Sequence, residues 1–473
     1  MAYDRLSGLD TAFLCLDSPS APMNLGALAV FTPSQPVRPT RLVEVLRDRA
    51  ARIPRLRRRP RAMLVPFGAV QWVPDGEFQV ERHVFAHHLR RPHDPDQLTD
   101  KVSELMSERL DTGRPLWELH VITGLAGGRF AVLAKLHHAL ADGAGAVMIG
   151  LSLMDGFTHP PAADEPVAGA LSDALSGVAD AAKRGAKLVN DSAAVLAAIP
   201  EQARRVRGAI PEQARRVRES LDIAAAVVRG ARPPELTSPL LTAPSRERQL
   251  ATLRIALTEI KRVRSHYGGT TNDVLLAILA GALREWLLTR GEEVTDRTIR
   301  TLVPVNQRYR SGAASAGSNQ LSGYVCELPI GEPDPVARLQ AVRDAMDRNK
   351  EAGPFRGAGA LPVLAERLPA ALHRMATRFV GGGASLLFDL VATNVQLPNI
   401  ALSCDNAPVE EIYPIVPLAA GHALAVAFCG YGGYVHIGLH ASPDALPDLG
   451  TIVKGFHGAL GDLQENELTR NYL

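Results

Sequence analysis

Two adjacent histidines, His137 and His138, followed by Asp142 and Gly143 in the run HHALADG, are the residues best suited to move a proton. An imidazole with a carboxylate four residues on suits a general base whose ring is held by local bonding. Asp142 could orient that ring, or pair with a distant arginine and hold the turn together. The chain has no GxSxG nucleophile elbow, which favours direct transfer to an activated acceptor over a covalent enzyme intermediate. His138 and Asp142 could also supply two metal ligands, but no third His, Asp or Glu follows at a recognisable spacing, so no metal is expected. A second pair, His87 and His88, shows that adjacent histidines alone are not diagnostic.

The pair must sit on something rigid. Phe130 to His138 reads FAVLAKLHH, an alternation that predicts a strand ending at the histidines. Phe130, Val132, Ala134, Leu136 and His138 would share one face, with Lys135 and His137 on the other. Asp142 is placed to cap a helix that begins in the apolar run from Ala144, and Gly143 would allow close approach. The expected unit is strand, paired histidines, tight turn, helix.

The chain has 473 residues, and 52 Lys+Arg against 50 Asp+Glu leave +2, so no nucleic-acid partner is advertised. Hydrophobic residues at 46% and charged residues at 22% suit a globular enzyme and exclude a disordered chain. Cysteines at 15, 326, 404 and 429 are too few and too scattered for a disulfide framework or a zinc site, and fit a reducing, cytoplasmic setting. The N-terminus lacks the order of a signal peptide. The best apolar run, Val274 to Leu283, is cut by Arg284 and Glu285, too short to span a membrane.

Strand-like and helix-like runs alternate in residues 130–155 and 250–310, the pattern of an α/β (α+β layered) protein with mixed sheets flanked by helices. Between them lies an Ala/Arg-rich stretch in which IPEQARRVR occurs at Ile199–Arg207 and again at Ile210–Arg218. The 11-residue period returns side chains to nearly the same helix face. An amphipathic connector packed on its neighbours is the plainer expectation, and a basic helix lying on an anionic lipid surface is the sharper one. The expected division is residues 1–160, a helical linker 161–244, and residues 245–473. Arg52, Arg55, Arg57, Arg58, Arg59 and Arg61 form either a solvated basic face or a contact for phosphates or an anionic membrane.

HHALADG matches the HHxxxDG signature of the CoA-dependent acyltransferase superfamily, which resembles chloramphenicol acetyltransferase. Further segments narrow the likeness: LSGLDTAFLCLDSPSAPMNLGALAVF (Leu6–Phe31), RPLWELHVI (Arg114–Ile122), TNDVLLAILAGALREWL (Thr271–Leu287), VPVNQR (Val303–Arg308), SNQLSGYVCELP (Ser318–Pro329) and TNVQLP (Thr393–Pro398). Together they resemble the bacterial wax ester synthase/diacylglycerol acyltransferase family. Gln396 and Leu397 depart from the Pro-Gly that the family usually carries after Asn-Val. No DFGWG-like segment is present, which argues against the plant and condensation-domain branches.

The resemblance implies two chloramphenicol acetyltransferase-like domains joined by the linker. It implies acyl transfer from acyl-CoA to diacylglycerol, with long-chain alcohols as a further acceptor class giving wax esters. His138 would be the base, with His137, Asp142 and Gly143 shaping the turn. Asn272 would stabilise the oxyanion, although capping of its helix by Thr271 or Asn272 explains the segment equally well. Acyl-CoA is then a substrate, and no cofactor is implied. The partners are acyl-CoA and a lipid alcohol, with peripheral contact at the inner membrane or a lipid inclusion. The rivals are an acyltransferase using a carrier-bound acyl donor or a polyketide-type alcohol, and a non-catalytic lipid-binding protein of the same fold.

Overall fold

Apolar runs bounded by Gly, Pro and Asp form the strands, and capped apolar stripes form the helices. The computed structural model describes residues 4–63, 70–90, 96–157, 238–306, 321–352 and 387–471. The repeats at Ile199–Arg218 lie outside these residues. The N-terminal half opens with β1 (Asp4–Arg5), α1 (Gly8–Leu16), β2 (Asn24–Phe31) and α2 (Pro39–Ala51). It continues with β3 (Arg58–Ala62), β4 (Val70–Pro74), β5 (Val84–His88) and α3 (Asp96–Ser107). β6 (Trp117–Thr123), β7 (Phe130–His137) and α4 (Gly143–Ser152) complete it.

The C-terminal half begins with β8 (Gln249–Ala256), α5 (Leu257–Tyr267), α6 (Thr271–Thr289) and β9 (Ile299–Asn306). β10 (Leu321–Leu328), α7 (Pro335–Ala352), β11 (Leu390–Val395) and β12 (Ser403–Cys404) follow. β13 (Ala407–Ile415), β14 (Leu424–Tyr431), β15 (Tyr434–Ala441) and α8 (Leu449–Asn471) end the described chain. The architecture is mixed α/β, as expected. One six-stranded sheet has the order β10-β9-β11-β14-β15-β8, with β11 parallel to β9 and β14. The other has the order β12-β13-β2-β7-β6-β5, antiparallel except for the β5–β6 pair.

The second sheet therefore takes strands from both halves. Val409–Ile415 of β13 pair with Phe31–Gly26 of β2, so the C-terminal half reaches across and completes the sheet that carries the histidines. β13 also packs on β14 and β15. The approach is close enough that a Cβ on Gly438 would lie 2.1 Å from the Pro414 carbonyl oxygen, so only glycine fits there. A cluster of Leu28, Val30, Leu105, Leu250, Tyr413 and Ile415 seals the seam.

The apolar run Val274–Leu283 is buried throughout in α6, surrounded by α8, α7 and α5. Its hydrophobicity is that of a core helix covered on all sides, at about 1.5–3 kcal/mol per large apolar side chain. Among the described residues, no helix is long and apolar enough to cross a membrane.

Candidate active site

β7 lies between β2 and β6, and its end is clamped from both neighbours. The His137 N–H donates to the Leu116 carbonyl at 3.0 Å, and the His138 N–H donates to the Met23 carbonyl at 2.8 Å. The strand ends at His137 and His138 is the first residue beyond it. Two backbone hydrogen bonds on opposite sides leave the paired histidines little freedom in register or tilt.

The rings have different surroundings. His138 is half-buried, and its ring stacks on Phe13 of α1 with centroids 3.8 Å apart and planes 18° from parallel. Burial pushes it down to about 4, against the weaker opposing pull of its own backbone and of Asp142. His137 is fully enclosed, at 0% exposure. Its Nδ1 accepts the Ala139 N–H at 3.0 Å, which leaves the ring proton on Nε2, 3.9 Å from Oδ1 of Asp17. Burial likewise pushes His137 down to about 4, with Asp17 opposing. Both rings are therefore neutral near pH 7, and His138 alone of the two has exposed surface.

Asp142 caps α4, its Oδ1 accepting the Gly145 N–H at 2.7 Å. The helix begins at Gly143, one residue earlier than Ala144. A Cβ on Gly143 would meet nothing within 4 Å, so this glycine is not required for the close approach expected of it; it leaves open space beside the turn. The turn is also held by Arg55, whose Nε donates to the Leu140 carbonyl at 2.5 Å and whose guanidinium lies over Trp72.

Members of the arginine cluster have individual partners in the fold. Besides Arg55, Arg52 pairs with Asp48 at 2.7 Å, and Arg57 lies over Phe78. Asn272 sits half-buried in the first turn of α6, whose main packing partners are α8, α7, α5 and β10 of the C-terminal half. Neither Thr271 nor Asn272 caps that helix. The cap is Thr270, whose hydroxyl accepts the Asp273 N–H while the Asp273 carboxylate accepts the Thr270 N–H, a capping box that satisfies both donors.

Several residues that secure the histidines were not singled out from the sequence: Phe13, Asp17, Met23, Leu116, Trp117 and Arg109. A signal was present, since all but Arg109 fall in quoted segments. In LDTAFL, Asp10 forms a capping box with Ser7 that starts α1 and Phe13 reaches His138. In PLW, Leu116 holds the His137 backbone while the Trp117 indole N–H donates to the Leu56 carbonyl at 2.7 Å. Beyond β11, Gln396 is exposed and Leu397 half-buried in the loop. Among the described residues, no group of three His, Cys, Asp or Glu side chains is placed to hold a metal ion.

Known proteins fit this arrangement. Residues 6–275 match the family model of the wax ester synthase/diacylglycerol acyltransferase catalytic domain, and residues 317–464 match that of the WS/DGAT C-terminal domain. A Mycobacterium tuberculosis protein named as a diacylglycerol O-acyltransferase is 32% identical over 465 residues, covering 97% of this chain and 96% of its own length. The solved wax ester synthase/diacylglycerol acyltransferase from Marinobacter aquaeolei VT8 superposes with a TM-score of 0.69 at 22% identity, covering 98% of this chain and 99% of its own. The first condensation domain of the CDA synthetase shares the fold at a TM-score of 0.60 and 17% identity, over 98% and 96% of the two chains.

Proposed function

This chain belongs to the wax ester synthase/diacylglycerol acyltransferase family, and on that premise we propose that it transfers an acyl group from acyl-CoA to the free hydroxyl of diacylglycerol, with long-chain alcohols as a further acceptor class. The observation that carries the reading is the neutral, half-buried His138 at the clamped end of β7, its ring stacked on Phe13. Nδ1 is the ring nitrogen nearer its own backbone; with the proton held there, Nε2 is presented as the base. It takes the hydroxyl proton as the acceptor oxygen attacks the thioester carbonyl. Collapse of the tetrahedral intermediate expels the CoA sulfur, which recovers that proton from His138. No covalent enzyme intermediate is needed, and acyl-CoA enters as a substrate with no resident cofactor.

His137 and Asp142 then shape the turn, Gly143 leaves space beside it, and Asn272 is the candidate donor to the oxyanion. The halves 1–160 and 245–473 act as one catalytic unit through β13, with 161–244 as connector. Contact with the inner membrane or a lipid inclusion would be peripheral. Incubating the protein with labelled palmitoyl-CoA and diolein, hexadecanol or no acceptor, then separating the lipids, tests the reading. The expected outcome is labelled triacylglycerol from the wild type and a loss of about 1,000-fold or more in His138→Ala, whose folding and acyl-CoA binding persist. Turnover only with a carrier-bound donor, or near wild-type turnover by His138→Ala, would sink it.

A further inference from the structure

Asp17 ends α1 with a side chain only 1% exposed, and three groups converge on its carboxylate. Oδ2 accepts from Arg109 Nε at 2.8 Å and from a terminal guanidinium nitrogen at 2.5 Å. Oδ1 accepts the Met23 N–H at 3.0 Å. The same oxygen lies 3.9 Å from Nε2 of His137. The backbone of Met23 is therefore held on both sides of its Cα, its N–H by Asp17 and its carbonyl by the His138 N–H at 2.8 Å. Next along the chain, Asn24 donates from Nδ2 to the Glu108 carbonyl at 2.8 Å, tying β2 to the residue before Arg109.

We infer that Asp17 and Arg109 form a positioning pair for the general base, setting the place of His138 through the Met23 backbone and balancing the charge that Asp17 brings beside His137. The inference rests on His138 being the base. Neither residue needs to touch substrate. Asp17 lies behind the strand end, beside the ring that has no exposure, so its influence reaches the reaction through backbone and charge. A buried carboxylate in this place is compatible with a neutral His137 only while the guanidinium balances it. Without the cation, the carboxylate and the imidazole would share a proton and put a positive ring beside His138. Arg109 lowers the proton affinity of His137 and Asp17 raises it, which is the sign this balance requires.

The test compares Arg109→Met, Asp17→Asn, the double variant and Arg109→Lys in the acyl-transfer assay between pH 5.5 and 8.5. Thermal unfolding of each is followed alongside. In Arg109→Met, an uncompensated carboxylate raises the proton affinity of His137 by about 1–3 units, so an acid limb in kcat appears between about pH 5 and 7, where the wild type is flat. KM for acyl-CoA stays within about twofold, since no substrate contact is lost. Asp17→Asn lowers kcat about tenfold without that limb, because its amide cannot hold Arg109 in place. The double variant removes the limb and recovers kcat relative to Arg109→Met, and Arg109→Lys keeps the wild-type profile.

A flat profile in Arg109→Met, or a double variant no better than it, overturns the inference. If Arg109→Met does not fold, the kcat loss at constant KM in Asp17→Asn decides in its place, and a change in KM alone overturns the inference. Imidazole nitrogen NMR of His137 and His138, assigned from the single histidine variants, reports the tautomers without any acceptor. Loss of transfer in the wild type alongside the expected imidazole changes would refute the function and leave the positioning pair standing.

Discussion

Replacing His436 with Leu should make the protein resist acid. His436 lies on β15 under β13, is 0% exposed, and meets Tyr413 edge-on at 5.2 Å. Neither ring nitrogen has a hydrogen-bond partner among the described residues. Burial pushes His436 down to about 4, as it does the enclosed His137 and His440. With an ordinary value of 6.5 in the unfolded chain, that chain takes up more protons than the folded one between pH 6.5 and about 4. The stability these three groups contribute is therefore complete above pH 6.5 and is lost as the pH falls towards 4. At pH 5 each forfeits about 2 kcal/mol, so the three together forfeit about 6 kcal/mol, comparable to the whole stability of many domains.

His436→Leu removes one such share at nearly constant volume. At pH 7.5 the relief of two unpaired nitrogens roughly offsets the lost aromatic contact, leaving a change within about 1 kcal/mol. At pH 5.0 the variant should exceed the wild type by about 2 kcal/mol. Urea unfolding at the two pH values gives both numbers. A variant whose stability falls between pH 7.5 and 5.0 by as much as the wild type would refute the reasoning.

The remaining expectations concern the seam and the turn. Gly438→Ala places a methyl group 2.1 Å from the Pro414 oxygen, and forcing β13 off β15 should cost about 3 kcal/mol or more in urea unfolding; an unchanged midpoint would contradict the close approach. Asp142→Ala removes the cap of α4 and should cost about 1–2 kcal/mol while lowering kcat more than it raises KM, which steady-state kinetics and melting together check. Because burial holds His138 at about 4, it is already unprotonated at neutral pH. The wild-type kcat/KM should therefore be flat from pH 8 to 6 in samples verified as folded, and a limb centred near 6.5 would show a solvent-like base instead.

What the sequence determined by itself is local. Alternation in Phe130–His138 set the strand and its end, Asp142 before an apolar run set the helix start, and Arg284 and Glu285 cut the apolar run Val274–Leu283 short of a membrane span. These depend on a residue and its near neighbours, whose spacing is visible in a string. The motif HHALADG located the candidate site, and the wider segments identified the family. Capping could be misplaced by a residue, because Ser, Thr, Asp and Asn compete for one position; Thr270 won over Thr271 and Asn272 once Asp273 could return the bond.

Tertiary structure decided what distant residues do to one another. Alternation put His137 and His138 on opposite sides without saying which side was closed. Asp17 lies beside the enclosed His137, and Phe13 lies flat on His138. Arg55 belonged to an apparent surface cluster until the fold carried it to the Leu140 carbonyl, 85 positions along the chain. The passage of β13 into the other half's sheet left only an indirect trace, since Gly438 is one of 40 glycines and the Pro414 oxygen it admits is a backbone atom common to every residue. Contacts made by backbone atoms carry no side-chain signature, so only the three-dimensional arrangement could reveal them.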